Sequence, residues 1–103
     1  MKKRIIFIFL MAIATVVAFA QCPAGQTEVS IDISTDNWGY ETYLELVPSG
    51  SSCGSGAAIY IGGNSAVGCN ANAATSGGYN SNTTINAGPW CLNNNASYDI
   101  LSR

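Results

Sequence analysis

The sequence predicts a small all-β domain, either an antiparallel sandwich or part of one, with long Gly- and Asn-rich loops and disulfide stabilisation. Three observations predict this class: short runs of alternating or β-branched residues, Gly- and Asn-rich segments between these runs, and four cysteines. After residue 20, no segment keeps the helical spacing of apolar residues for more than a turn or two. Several short strands separated by turn residues are typical of antiparallel sandwiches.

The first two predicted strands flank a turn-rich segment. Every second residue from Val29 to Ile33 is apolar, and the alternation resumes over residues 43–47 until Pro48 ends it. Residues 35–42 between them are rich in turn formers. We therefore expect a β-hairpin-like unit or two neighbouring strands.

The rest of the chain supplies shorter strand signals. Residues 57–61 are apolar on both faces and predict a central strand, whereas residues 62–82 are poor in large apolar side chains and predict a long surface loop with at most one short strand. Residues 83–86, which are rich in β-branched side chains, and residues 98–101 predict two further strands.

Residues 1–20 have the features of a secretory signal peptide. Lys2, Lys3 and Arg4 precede an apolar run, and Ala18-Phe19-Ala20 offers the small residues of a cleavage site. The run is too short for a stable membrane span, and no later apolar segment is long enough for one. We expect cleavage after Ala20, leaving residues 21–103 as a single secreted or cell-surface domain.

The charge of the predicted mature domain excludes several partners. Cleavage removes Lys2, Lys3 and Arg4, so that Arg103 alone stands against six carboxylates, a net side-chain charge of about −5. Nucleic acids and anionic lipid surfaces are bound by Lys and Arg patches, which this domain lacks. The partner that we expect is a polysaccharide or another cell-surface protein.

Four cysteines in an exported chain predict two disulfides, which three pairings could satisfy. Sequence proximity favours Cys53 with Cys69, and Cys22 then pairs with Cys91. A zinc site is disfavoured because no two cysteines have metal-ligand spacing and the chain has no histidine.

The sequence offers little catalytic equipment. Residues 50–54 match the G-x-S-x-G pattern of serine hydrolases, but that chemistry needs a histidine base. Glu41 and Glu45 lie four residues apart, about 13 Å along a strand, which exceeds the carboxylate separation of glycosidases. Asp32 could oppose one of them across a hairpin, although solvated surface carboxylates are the commoner case. We therefore predict a non-catalytic domain.

Three aromatic residues near the turn are the candidate ligand-binding residues. Trp38, Tyr40 and Tyr43 could form a stacking platform for a sugar ring, or they could pack as cross-strand pairs. Packing is the commoner use of aromatic residues in small sheets, so we expect Trp38 to be packed.

The same turn contains the candidate metal ligands. Asp36, Asn37 and Glu41 could supply oxygens to a calcium ion, which is the one cofactor that the sequence suggests. The alternative is an Asx turn, in which Gly39 adopts a positive φ. The spacing does not match an EF-hand loop, so the Asx turn is favoured.

Residues 29–42 resemble the opening of a β module found in secreted and surface proteins of flavobacteria and their relatives. That module begins with an alternating strand followed by T-D-x-[WY]-G-x-E-[TS]. Later stretches of this chain are similar to the module's G-G-x-Y, N-x-T and C-L-P stretches, namely Gly77-Gly78-Tyr79, Asn82-Thr83-Thr84 and Cys91-Leu92. The resemblance implies a non-catalytic attachment to an exported protein.

The chain departs from that module near its C-terminus. The module often carries a second cysteine at the position of Ser97, so Cys91 must pair elsewhere or stay free. The module also continues with an acidic D-x-[WY]-G-D-G turn, whereas this sequence ends at Arg103, before that turn. The resemblance therefore implies a truncated copy, in which any ion site that uses this turn is missing.

Overall fold

The computed structural model describes residues 22–103, and the predicted signal peptide lies outside this range. Apart from a 3-10 turn at Gly39–Glu41, the regular secondary structure of the described part consists of β-strands, which confirms the predicted all-β fold class. The strands are β1 (Gln26–Ser34), β2 (Tyr43–Pro48), β3 (Tyr60–Gly63), β4 (Thr84–Asn93) and β5 (Tyr98–Ser102).

The strands form two antiparallel sheets that make a partial, unclosed sandwich. One sheet contains β1 and β4, and the other has the order β3-β2-β5. The prediction that the first two strands are neighbours was wrong, because β1 pairs with β4 while β2 pairs with β3 and β5. Residues 35–42 therefore carry the chain from one sheet to the other.

The strand β2 is the centre of the core. All five residues from Tyr43 to Val47 are buried, and Val47 is fully inaccessible. The other buried apolar residues are Val67, Ala87 and Leu92. The predicted central strand at residues 57–61 was wrong, because β3 begins at Tyr60 and lies at a sheet edge, where Ile61 is 58% exposed.

The strand β4 is longer than predicted because it contains a β-bulge. Alternation in the sequence stops at Gly88-Pro89, whose peptide bond is cis, yet the pairing with β1 continues to Asn93. Val29 pairs with Trp90 and Ile31 with Ala87, so a single β1 residue faces both Gly88 and Pro89. The bulge allows Trp90 to lie on the same face of the sheet as Ala87.

Two disulfides cross-link the chain, one within each half of the fold, and one aromatic contact lies between the two sheets. Cys22–Cys91 joins the start of the described chain to β4, and Cys53–Cys69 joins the two loops on either side of β3. Both cysteine pairs agree with the predicted pairing. Between the sheets, the rings of Tyr60 and Trp90 have centroids 5.2 Å apart.

The loop over residues 64–83 confirms the predicted long surface loop, and a buried asparagine holds it in place. Asn64 is 6% exposed, and its side-chain nitrogen donates to the carbonyl oxygens of Tyr40 and Ser76, both at 2.8 Å. Its side-chain oxygen accepts from the Ala66 amide at 3.0 Å. One side chain therefore fixes three separate segments.

Within residues 22–103 there is no helix with the length and apolar character that crossing a membrane would require.

Candidate functional site

The segment of residues 36–41, here called the Trp38 turn, has a backbone fixed by local hydrogen bonds. The Trp38 amide donates to Asp36 Oδ1 at 2.8 Å, which closes an Asx turn. The Glu41 amide then donates to the carbonyl oxygen of Trp38 at 2.9 Å and closes the 3-10 turn. Hydrogen bonds therefore fix the backbone on both sides of the Trp38 side chain.

Residues 79–83 clamp this turn from the other side. Ser81 Oγ accepts from the Gly39 amide at 3.1 Å and donates to the Asn37 carbonyl at 2.9 Å. The Asn82 amide donates to the Asp36 carbonyl at 2.8 Å. The Trp38 turn and residues 79–83, which are about 40 residues apart in the sequence, thus lie against each other.

Gly39 is required for a different reason from the one predicted. It does not adopt a positive φ, so the expected left-handed conformation was wrong. Instead, a Cβ at this position would lie 2.5 Å from the carbonyl oxygen of Asn80 and 2.7 Å from that of Tyr79. The close approach of two backbones therefore demands glycine here.

The three candidate aromatic residues do not share one surface. Trp38 is 56% exposed, and its ring contacts that of Tyr40 edge to face, with centroids 6.0 Å apart. The expectation that Trp38 is packed was therefore wrong. Tyr43 is only 7% exposed because it lies on β2, where its hydroxyl binds Glu45, so its inclusion in a platform was also wrong. The aromatic pair at the turn therefore consists of the exposed Trp38 and the half-buried Tyr40.

The three candidate calcium ligands lie in the turn, but two of them bind within the protein. Asp36 Oδ1 accepts from the Trp38 amide, and Asn37 Oδ1 accepts from the side chain of Asn82 at 2.9 Å. Glu41 is exposed. Among residues 22–103, no group of three Asp, Glu or Cys side chains gathers at this turn. Asp36 therefore closes the Asx turn that was the alternative, without the positive φ expected at Gly39.

A second cluster, which sequence reasoning missed, surrounds Glu45. The carboxylate is 1% exposed, and its Oε2 accepts from the Tyr43 hydroxyl at 2.6 Å. The Gly54 amide donates to both carboxylate oxygens, at 3.1 and 3.2 Å. Cys69 Sγ lies 3.6 Å from Oε2. We call these residues, with the Cys53–Cys69 disulfide, the Glu45 cluster.

The buried carboxylate changes the acidity of its tyrosine neighbour. The pKa of Tyr43 is raised above its ordinary value of 10.0. The main cause is the hydrogen bond to Glu45, followed by burial and then by the charge of the carboxylate. The ligand atoms of Glu45, Cys53 and Cys69 lie within 4.8 Å of one another, a spacing that suits a metal ion. The two sulfurs are bonded to each other, so neither is a thiolate ligand in this structure.

A tyrosine pair links the long loop to β3. The hydroxyl oxygens of Tyr60 and Tyr79 are 2.8 Å apart, and Tyr60 also contacts Trp90 of the other sheet. Burial, followed by the hydrogen bond with Tyr60, raises the pKa of Tyr79 well above its ordinary value. This pair is part of the packing between the layers.

No pocket for a small molecule was found within residues 22–103. Comparison of the chain with protein-family models, with curated proteins and with solved structures gives no significant match.

Proposed function

We propose that this chain is a non-catalytic β module of an exported protein, with a structural or adhesive role outside the cell or at its surface. The observation that carries the proposal is the Trp38 turn, where a ring that is 56% exposed is held on a doubly anchored backbone. A large apolar side chain held rigidly in water binds a partner with little loss of conformational entropy.

The disulfides and the N-terminal sequence both support export of the protein. The two disulfides indicate an oxidising compartment, because thiols stay reduced in the cytosol. The basic and apolar order of residues 1–20 supports a signal peptide that delivers the chain there.

The placement of the carboxylates supports a non-catalytic role. Glu45 is buried and bonded to Tyr43 and Gly54, whereas the Asp32 side chain accepts from Asn86 at 2.7 Å on the other sheet. The chain has no histidine to act as a general base. Hydrolysis of a general substrate panel, lost on Glu41→Gln, would contradict this part of the proposal.

An adhesion assay tests the role of the turn. Beads coated with the exported protein are washed over immobilised extracellular proteins and insoluble polysaccharides, and the retained beads are counted. We expect Trp38→Ala to abolish the retention of the beads. The control Ile61→Ala should leave retention unchanged, because Ile61 is almost equally exposed but lies on β3. Equal retention by both variants would overturn the assignment of the Trp38 turn.

The second candidate function is carbohydrate binding through Trp38 and Tyr40. Exposed aromatic rings stack on the apolar faces of sugar rings, and Tyr40 supports the Trp38 ring by an edge contact. A glycan array separates the candidates: saccharide binding that is lost in Trp38→Ala favours this function, and no binding to any saccharide removes it.

A further inference from the structure

The Glu45 cluster places a buried negative group against a disulfide. The carboxylate is 1% exposed, and its Oε2 lies 3.6 Å from Cys69 Sγ. A disulfide sulfur has no hydrogen to donate, so this is a contact between an anion and a sulfur, without a hydrogen bond. The Tyr43 hydroxyl and the Gly54 amide hold the carboxylate in this position.

The nearby positive charge does not bind the carboxylate. Arg103 is the only basic side chain in residues 22–103. It is exposed, and its Nε donates to the main-chain oxygen of Cys69 at 3.0 Å, while its Nη1 donates to that of Ser102. The donors to Glu45 are therefore the neutral groups of Tyr43 and Gly54, and the charge of the carboxylate faces the disulfide.

Reduction of a disulfide by a thiol passes through two negatively charged sulfurs. An external thiolate attacks one sulfur, a mixed disulfide forms, and the other cysteine leaves as a thiolate. A second thiol then releases the first cysteine, so that the external thiol is oxidised to its disulfide and both cysteines end as thiols. Attack at Cys69 brings the incoming anion towards Glu45, and attack at Cys53 leaves the Cys69 thiolate beside Glu45.

We propose that Glu45 protects the Cys53–Cys69 disulfide against reduction by anionic thiols, through repulsion of both the attacking and the leaving thiolate. The Cys22–Cys91 disulfide lacks such a buried carboxylate: Cys91 is exposed, and Glu28, its partner across β1 and β4, is exposed to solvent as well. Exposed charges are screened by water and salt, whereas buried charges are screened much less. Cys22–Cys91 is therefore the disulfide that opens first.

The test compares reductants of different charge on the protein exported through its full-length precursor into an oxidising periplasm. The thiolate forms of cysteamine, mercaptoethanol and thioglycolate carry increasingly negative net charge. Alkylation followed by peptide mapping gives the reduction rate of each disulfide, and Cys22–Cys91 is the internal reference. In the wild type, we expect the relative rate at Cys53–Cys69 to fall from cysteamine to thioglycolate.

The variant Glu45→Gln removes the charge and keeps the shape of the side chain. We expect reduction of Cys53–Cys69 by thioglycolate to accelerate at least about tenfold, and its dependence on reductant charge to disappear. The matched control is Glu28→Gln, which should change the rate at Cys22–Cys91 by no more than about twofold because that carboxylate is exposed.

Two results would overturn the proposal. Equal acceleration of both disulfides in Glu45→Gln, for every reductant, would mean that the variant merely loosens the fold. A wild-type rate ratio that does not depend on reductant charge would refute the repulsion directly. This second measurement needs no variant, so it decides the question even if Glu45→Gln fails to fold.

Discussion

The strands β1 and β2 have similar alternating sequences but very different surroundings. In β1, no residue is fully buried, and half-buried apolar residues alternate with exposed polar ones. In β2, every residue from Tyr43 to Val47 is buried, including the acidic Glu45. β1 has one neighbouring strand, whereas β2 has two, and the Cys53–Cys69 loops supply a backbone donor to Glu45. Alternation therefore reports which residues share a face, and the neighbours decide whether that face meets water.

The largest expected effect concerns the Cys22–Cys91 disulfide, which is attached to the sheet of β1 and β4. Replacing Cys22 and Cys91 by serine should lower the free energy of unfolding by about 4 kcal/mol, against about 3 kcal/mol for Cys53 and Cys69, since the longer loop loses more entropy when closed. Urea unfolding of both double variants measures the difference. A smaller loss at Cys22–Cys91 would mean that the sheet of β1 and β4 is held by its own packing.

The next effect compares apolar residues of the two strands directly. Leu46→Ala in β2 should destabilise by about 3 kcal/mol, because Leu46 is 3% exposed and its removal leaves a cavity. Ile33→Ala in β1 should cost about 1 kcal/mol, since Ile33 is only half-buried. Thermal unfolding followed by circular dichroism checks both values, and equal losses would contradict the contrast between the strands.

Gly39 tests the connection between the two sheets. Gly39→Ala should destabilise by about 2 kcal/mol, because the added Cβ would overlap main-chain atoms of Asn80 and Tyr79 that cannot rotate away. Gly25→Ala is the control for removing a glycine with open space around it, although its positive φ adds some strain. A Gly39→Ala melting curve equal to that of the wild type would show that the clamp of residues 79–83 is loose.

Alkaline pH probes Tyr43 of β2 and Tyr79, whose hydroxyl contacts that of Tyr60 in β3. The folded-state pKa values of Tyr43 and Tyr79 are raised, so the folded protein keeps protons that the unfolded chain loses. This stability is complete below about pH 10 and is lost as the pH rises through the folded-state values. Denaturant unfolding at increasing pH should show this fall, and Tyr43→Phe and Tyr79→Phe should each reduce its slope. An unchanged slope in both variants would contradict it.

The smallest effect on stability is expected at the exposed turn. Trp38→Ala should change the free energy of unfolding by less than about 1 kcal/mol, because the ring is mostly in water and loses only its edge contact with Tyr40. A larger loss, measured by urea unfolding, would return Trp38 to a packing role and weaken the case for a binding surface.

The sequence was informative where the signal is local. The strand at residues 98–101, the long loop and the Cys53–Cys69 pair could be predicted from neighbouring residues and spacing, and the Cys22–Cys91 pair then followed by elimination. Strand order could not, because the pairing of β1 with β4 joins residues that are 50 or more positions apart. The Glu45 cluster was hidden as well, because the contacts of Glu45 with Gly54 and Cys69 depend on how the two loops on either side of β3 fold against β2.

The bulge at Gly88-Pro89 divides β4 into two segments whose side-chain parity is set independently. Before it, odd-numbered residues such as Ala87 face inward, and after it, even-numbered residues such as Leu92 do. A one-residue deletion within the bulge would leave both segments facing as they do now, because only the surplus residue is removed. The same deletion elsewhere in β4 would turn every residue on one side of it from one face to the other. The length of this strand can therefore vary by one residue at the bulge, and nowhere else along it, without inverting the faces of the sheet.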